Sequence, residues 1–184
     1  MNTPNLLTLL RIILIPILVV IVYLPFSWTG WAAAGIFTFA AITDWIDGYL
    51  ARKLDQQTPF GAFLDPVADK LMVAVALVLL LPEYQSPWFT IAAAIIICRE
   101  ILISALREWM AELGKRTSVA VSMIGKFKTT LQMIAIILLL SQTSMDHPVV
   151  ELAGFTTLAI AALLTIWSMV IYLRAAWPDL SESL

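Results

Sequence analysis

Four aspartates stand close together in a chain that is otherwise strongly apolar: Asp44, Asp47, Asp65 and Asp69. The first two are three residues apart and the last two are four apart, so each pair shares one face of a helix. Carboxylates gathered at membrane depth repel one another unless cations compensate them, and oxygen ligands suit Mg²⁺, Mn²⁺ or Ca²⁺ better than zinc. The spacing therefore predicts a site for hard divalent ions, and two such ions would fit phosphoryl chemistry.

Small and basic residues lie between the aspartates. Gly48 and Ala51 leave room for a ligand to approach the backbone, and Arg52 offers a planar fork for phosphate oxygens. Gly61 gives the returning chain room after the polar segment 55–58. Together these residues predict a diphosphate site beside the metal.

Each of these residues also has a purely structural interpretation. Asp65 followed by Pro66 is a plausible helix start, Gly48 and Ala51 suit helix packing, and Arg52 is a plausible topology signal. Capping and packing do not require four acids at two adjacent helix ends, so the metal site is the preferred hypothesis.

The composition is that of a polytopic membrane protein. Hydrophobic residues make up 61% of the 184 positions, 13% are charged, and the mean hydropathy is +0.92. We expect one all-α domain over residues 1–184, and no nucleic-acid partner. Six apolar segments predict six transmembrane helices, at 6–24, 31–53, 66–81, 88–108, 121–141 and 150–174.

The basic residues predict the orientation of these segments. The Lys and Arg residues fall near the termini or after the second and fourth segments, except Arg99, which is deeper in the fourth. The turns on the other side carry Glu83 and Asp146 as their only charges. We therefore expect both termini in the cytoplasm and all four aspartates at the cytoplasmic face of the inner membrane.

The carboxylate stretch resembles the signature of the CDP-alcohol phosphatidyltransferase family. It reads Asp44-x-x-Asp47-Gly48-x-x-Ala51-Arg52, eight residues, then Gly61-x-x-x-Asp65-x-x-x-Asp69. The resemblance covers essentially the whole chain, and the surrounding segments TDWIDG, GAFLDPVADK and REILISALREWMAELGKR resemble members that use glycerol 3-phosphate.

The resemblance implies a role for each position. Asp44, Asp47 and Asp65 would bind two divalent ions, Mg²⁺ or Mn²⁺, which hold the nucleotide diphosphate. Asp69 would take the proton of the acceptor hydroxyl and is counted with the metal ligands. Gly48, Ala51, Arg52 and Gly61 would line the nucleotide site. The expected reaction is attack of the acceptor on CDP-diacylglycerol with release of CMP, by a homodimer among membrane lipids.

The basic residues of the fourth and fifth segments indicate the charge of the acceptor substrate. Arg99 and Arg107 lie eight residues apart on the fourth segment, and Lys126 and Lys128 open the fifth. Basic groups converging on one leaflet favour an anionic acceptor, and glycerol 3-phosphate supplies one phosphate and one attacking hydroxyl. Snorkelling and topology are the alternative interpretation of lysines near span ends, whereas an arginine as deep as Arg99 is expected to have a partner or a ligand.

A polar helix face is predicted near the amino terminus. Asn5, Thr8 and Arg11 interrupt an apolar start. They are candidates for the nucleotide site (Asn5, Thr8) and for the acceptor phosphate (Arg11), and interfacial anchoring is an equally open alternative.

Three other functions remain open. A sibling transferase would use serine, inositol phosphate or a phosphatidyl lipid as acceptor. A cation transporter predicts acids near the middle of the membrane with broken helices, whereas these acids lie at one interface. A structural membrane protein does not account for the spaced motif.

Overall fold

The computed structural model describes residues 3–53, 59–112, 114, 123–145 and 147–182, and every regular element in these ranges is an α-helix. The helices are α1 (Thr3–Val22), α2 (Thr29–Lys53), α3 (Pro59–Tyr84), α4 (Pro87–Glu112), α5 (Met123–Gln142) and α6 (Pro148–Glu182). The all-α prediction is confirmed, and each of the six predicted segments overlaps one helix.

The start of α3 differs from the predicted boundary. Three of the helices begin at a proline, α3 among them at Pro59, because a proline at the first helical position loses no hydrogen bond and has its φ already set. Asp65 and Pro66 therefore lie inside α3, about two turns from its start. The interpretation of Asp65 as a helix cap is wrong.

Polar and apolar side chains are distributed as in a membrane protein. Large apolar side chains face outward, for example Ile101 with 64% of its surface exposed and Leu163 with 68%. Several basic side chains lie inside, with Arg11 exposed by 1% and Lys128 by 2%. An apolar exterior around buried charges is unfavourable in water and favourable in lipid, so this is a membrane protein.

Three helices of the described ranges are long and apolar enough to cross a membrane: Asn5–Val22 within α1, Pro87–Glu112, and Pro148–Pro178 within α6. A shorter apolar stretch, Phe127–Gln142, lies in α5. The helices α2 and α3 carry the aspartates, which lower their apolar character at one end. The six-span topology stays a prediction.

Small residues let the helices pack closely around one core. The core contains Ala33, Ala34 and Ala40 of α2, Ala76 of α3 and Ala135 of α5. The helix α1 packs on both α2 and α3, and α6 packs on α4 and α5. These contacts bring the polar end of α1 to the aspartates of α2 and α3.

Candidate active site

Three of the predicted metal ligands meet in the structure. Asp44 lies in the second half of α2, and Asp65 and Asp69 lie in the first half of α3. All three carboxylates contact the guanidinium of Arg11 on α1, and each is about one third exposed. We call Asp44, Asp65 and Asp69, with Arg11 and Thr8, the carboxylate cluster.

The guanidinium of Arg11 stands between the acids. Its Nη1 lies 2.6 Å from Asp44 Oδ1 and 3.7 Å from Asp69 Oδ1, and its Nη2 lies 3.5 Å from Asp65 Oδ1. Only 1% of the Arg11 surface is exposed. A buried guanidinium among carboxylates lowers their mutual repulsion, so Arg11 acts as the counter-ion of the cluster.

Asn5 and Thr8 of α1 lie on the same face as Arg11, at intervals of three. The Thr8 hydroxyl donates a hydrogen bond to Asp65 Oδ1, and both Asn5 and Thr8 are buried. Thr8 and Arg11 thus belong to the carboxylate cluster by contact. Their assignment to the nucleotide and the acceptor phosphate stays a prediction.

The side-chain positions of several predicted site residues are not described. Asp47, Gly48, Ala51 and Arg52 lie on α2 and Lys126 lies on α5, but their side chains fall outside the described part of the structure. Gly61 is buried in the first turn of α3.

The carboxylate cluster fits a divalent ion in its chemistry. Its potential metal ligands are all oxygen atoms, which Mg²⁺ and Mn²⁺ prefer. Within the described residues no group of three acidic, histidine or cysteine side chains is positioned to hold an ion. Arg11 takes that central position here, so an ion would have to share the carboxylates with the guanidinium. The metal stays a prediction.

A second polar group lies between α4 and α6. Arg99 Nη1 donates to Glu100 Oε1 at 2.9 Å, and its Nη2 donates to Ser168 Oγ at 3.2 Å. Arg107 Nη2 donates to the Tyr172 hydroxyl at 3.0 Å. Both guanidiniums also lie over the Tyr172 ring, at 5.5 Å for Arg99 and 5.1 Å for Arg107. The prediction that Arg99 has a partner is confirmed.

Glu100 connects this group to α5. Lys128 Nζ lies 2.5 Å from Glu100 Oε1, and Lys128 is almost fully buried. We call Arg99, Arg107 and Lys128, with Glu100 and Tyr172, the basic cluster. The sequence reasoning missed Glu100, although it interrupts the same apolar run as Arg99 and the same argument applied to it.

A small cavity lies between the two clusters. Its volume is about 80 Å³, and its wall includes Asp69 of the carboxylate cluster and Glu100 of the basic cluster. Lys70 and Gln132 also line it. Lys70, which the sequence reasoning counted only among the topology signals, donates to Ser104 of α4 and interacts electrostatically with Asp69 and Glu100.

The arrangement supports proton transfer beside an anion site. A carboxylate at the cavity wall can accept a proton from a hydroxyl bound there. Lys70, a cation in the wall of the same cavity, can hold an anionic part of the same molecule. The site thus suits a small substrate that carries both a hydroxyl and a negative charge.

Comparison with known proteins agrees with this chemistry. Residues 1–170 match the model of the family described as CDP-alcohol phosphatidyltransferase. The chain is 60% identical over 181 residues to the CDP-diacylglycerol–glycerol-3-phosphate 3-phosphatidyltransferase of Salmonella choleraesuis, covering 98% of both chains. It is 60% identical over 182 residues to the protein of that name from Yersinia pestis, covering 99% of this chain and 98% of the relative. The Escherichia coli protein of that name is 59% identical over 181 residues, with 98% of both chains covered. The chain therefore belongs to the CDP-alcohol phosphatidyltransferase family.

Proposed function

We propose that this protein transfers the phosphatidyl group of CDP-diacylglycerol to a hydroxyl of glycerol 3-phosphate, giving phosphatidylglycerol phosphate and CMP. The reaction belongs to phospholipid biosynthesis, toward phosphatidylglycerol and cardiolipin. The observation that carries the proposal is the near-full-length similarity to relatives whose name states this reaction. The cavity between Asp69 and the basic cluster supports it independently.

Asp69 is the proposed general base. Its carboxylate accepts the proton of the acceptor hydroxyl while the hydroxyl oxygen bonds to the phosphorus that carries diacylglycerol. The bond between that phosphorus and the CMP oxygen breaks, and CMP leaves with the bonding electrons. Arg11 holds Asp69 and Asp44 in position from α1.

Asp44, Asp47, Asp65 and Asp69 are the proposed ligands of two divalent ions, Mg²⁺ or Mn²⁺. Bound there, such ions neutralise the diphosphate of the nucleotide and stabilise the leaving group. Gly48, Ala51, Arg52, Gly61, Asn5 and Thr8 are the proposed lining of the nucleotide site.

The acceptor phosphate is assigned to the basic side, with Arg99, Arg107, Lys126, Lys128 and Arg11 as the proposed ligands. Two of these residues differ in how readily they could bind a phosphate. Lys128 already faces Glu100, so a phosphate would compete with that carboxylate. Arg107 is exposed and its described partner is the neutral Tyr172, which favours Arg107 as a first contact.

The test is an assay of purified protein with CDP-diacylglycerol, Mg²⁺ or Mn²⁺, and one acceptor at a time. We expect CMP and phosphatidylglycerol phosphate with glycerol 3-phosphate, and loss of both on chelation. Product with serine, inositol phosphate or a phosphatidyl lipid instead would identify a sibling transferase. Cation flux into vesicles without CMP release would identify a transporter.

We place the protein in the inner membrane as a homodimer, with six spans, cytoplasmic termini and a cytoplasmic active site. A carboxy-terminal fluorescent-protein fusion should fluoresce, and an alkaline-phosphatase fusion at the same point should be inactive. The reverse result contradicts the orientation. Light scattering in detergent tests the dimer, and a monomer mass contradicts it.

A further inference from the structure

The cavity beside Asp69 is too small for a nucleotide. Its volume of about 80 Å³ is well below the roughly 300 Å³ of the smallest typical ligand pockets. A fragment of a few heavy atoms fits this space. The three-carbon part of the acceptor is such a fragment, whereas most of the nucleotide must lie outside this cavity.

One side chain in the wall has an unsatisfied oxygen. Gln132 of α5 is 3% exposed, and its Oε1 is buried without a hydrogen-bond donor among the residues that the structure describes. Buried polar atoms of native proteins nearly always have a partner, so such an oxygen calls for a donor.

The nearby hydroxyl in the wall does not supply that donor. Thr129 donates its hydroxyl proton to the Gly125 carbonyl oxygen at 2.8 Å. The Lys70 ammonium has its described hydrogen bond with Ser104. A ligand that brings its own O–H into the cavity would satisfy Gln132 without breaking either contact.

We infer that Gln132 Oε1 accepts a hydrogen bond from the non-reacting hydroxyl of a vicinal-diol acceptor whose neighbouring hydroxyl lies at Asp69. The inference rests on the proposed function and deepens it. In glycerol 3-phosphate the non-reacting hydroxyl is the one on C2. Gln132 then makes the enzyme selective for a diol over an acceptor with a single hydroxyl.

The test compares glycerol 3-phosphate with 3-hydroxypropyl phosphate, which lacks the C2 hydroxyl and is otherwise the same. Loss of a hydrogen bond to a buried amide oxygen should lower kcat/KM about tenfold to a hundredfold in the wild-type protein. In Gln132→Met, which keeps the side-chain length, this preference should fall to near one. For glycerol 3-phosphate, the lower kcat/KM of Gln132→Met should come from a higher KM.

The chain provides a matched control. Gln142 is on the same helix and is buried with an unsatisfied Oε1 among the described residues, but it lies about 15 Å further along α5. Gln142→Met should keep the wild-type preference for the diol. A Gln142→Met protein that loses the preference as fully as Gln132→Met would overturn the inference.

Two further results would overturn it. One is a wild-type preference near one, and the other is a Gln132→Met protein equally impaired with both acceptors, which indicates a structural role. If Gln132→Met does not fold, Gln132→Glu retains an acceptor oxygen and should retain the preference at a lower rate, and loss of the preference there counts against the inference. Absence of any product with glycerol 3-phosphate in the wild type instead contradicts the proposed function.

Discussion

Arg11 Nη1 lies 2.6 Å from Asp44 Oδ1 and joins the amino-terminal helix to the acidic end of α2. The same guanidinium reaches Asp65 and Asp69 on α3. One buried cation therefore ties three helices together at the place where the substrates are proposed to react. It also lowers the repulsion among the three acids.

Replacing Arg11 by glutamine should destabilise the protein in the absence of divalent ions. Removing one partner of a buried ion pair costs about 3 to 5 kcal/mol, and the partial exposure of the carboxylates lowers our expectation to roughly 1 to 3 kcal/mol. Because the acids then lack their counter-ion, added Mg²⁺ should raise the melting temperature of Arg11→Gln more than that of the wild type. Thermal unfolding in detergent measures both effects.

The control for this variant is Arg174→Gln, which removes an exposed arginine of α6. It should melt like the wild type with and without Mg²⁺. An Arg11→Gln protein with unchanged melting temperature would contradict the role of Arg11 as counter-ion.

Asp69→Asn should abolish most of the transfer and leave the fold intact. Asparagine keeps the shape of aspartate but cannot accept the acceptor proton, and loss of a general base typically costs about 10² to 10⁴ in kcat. Steady-state CMP release measures the effect. Glu83→Gln, an exposed acid at the opposite end of α3, should have wild-type kcat, and wild-type turnover by Asp69→Asn would remove Asp69 as the base.

The ion pair of the partly exposed Glu100 and the buried Lys128 should show strong energetic coupling. Glu100→Gln leaves the Lys128 ammonium buried without its carboxylate, and Lys128→Met leaves Glu100 with Arg99 as its described cation. The double variant removes both charges, so it should be less destabilised than the sum of the single variants, by about 0.5 to 3 kcal/mol. Unfolding of all four proteins measures this coupling, and additive effects would show that the pair contributes nothing by its contact.

The sequence was sufficient to predict the meeting of the acids on α2 and α3. Spacings of three and four place each pair on one helix face, and the sequence between the two pairs is too short to separate the helix ends widely. Those are local properties. The start of α3 differs from the predicted segment 66–81 because Asp65 with Pro66 resembles a helix start, whereas the helix begins at Pro59.

The partners of the buried charges could not be predicted in the same way. Arg11 is 33 residues from Asp44 in sequence, and their contact depends on how α1 packs on α2 and α3. Gln132 gave no sequence signal, because a glutamine on an apolar helix acquires meaning only when its neighbours and the cavity are known. The contacts of Tyr172 with two arginines likewise depend on the packing of α6 on α4.

Gly30 permits the close approach of α2 to the end of α5, and Gly30→Ala should destabilise the protein. A Cβ atom there would lie 2.2 Å from Thr143 Oγ1 and 2.7 Å from the Leu140 carbonyl oxygen, so the backbone of α5 would have to move. Overpacking of this kind costs typically about 1 to 3 kcal/mol. Gly35 lies on the same helix, and a Cβ there meets nothing within 4 Å, so Gly35→Ala should be neutral or stabilising because alanine favours helix. In thermal unfolding, Gly30→Ala should therefore lower the melting temperature, and Gly35→Ala should leave it unchanged or raise it. Equal changes in the two variants would contradict the close approach.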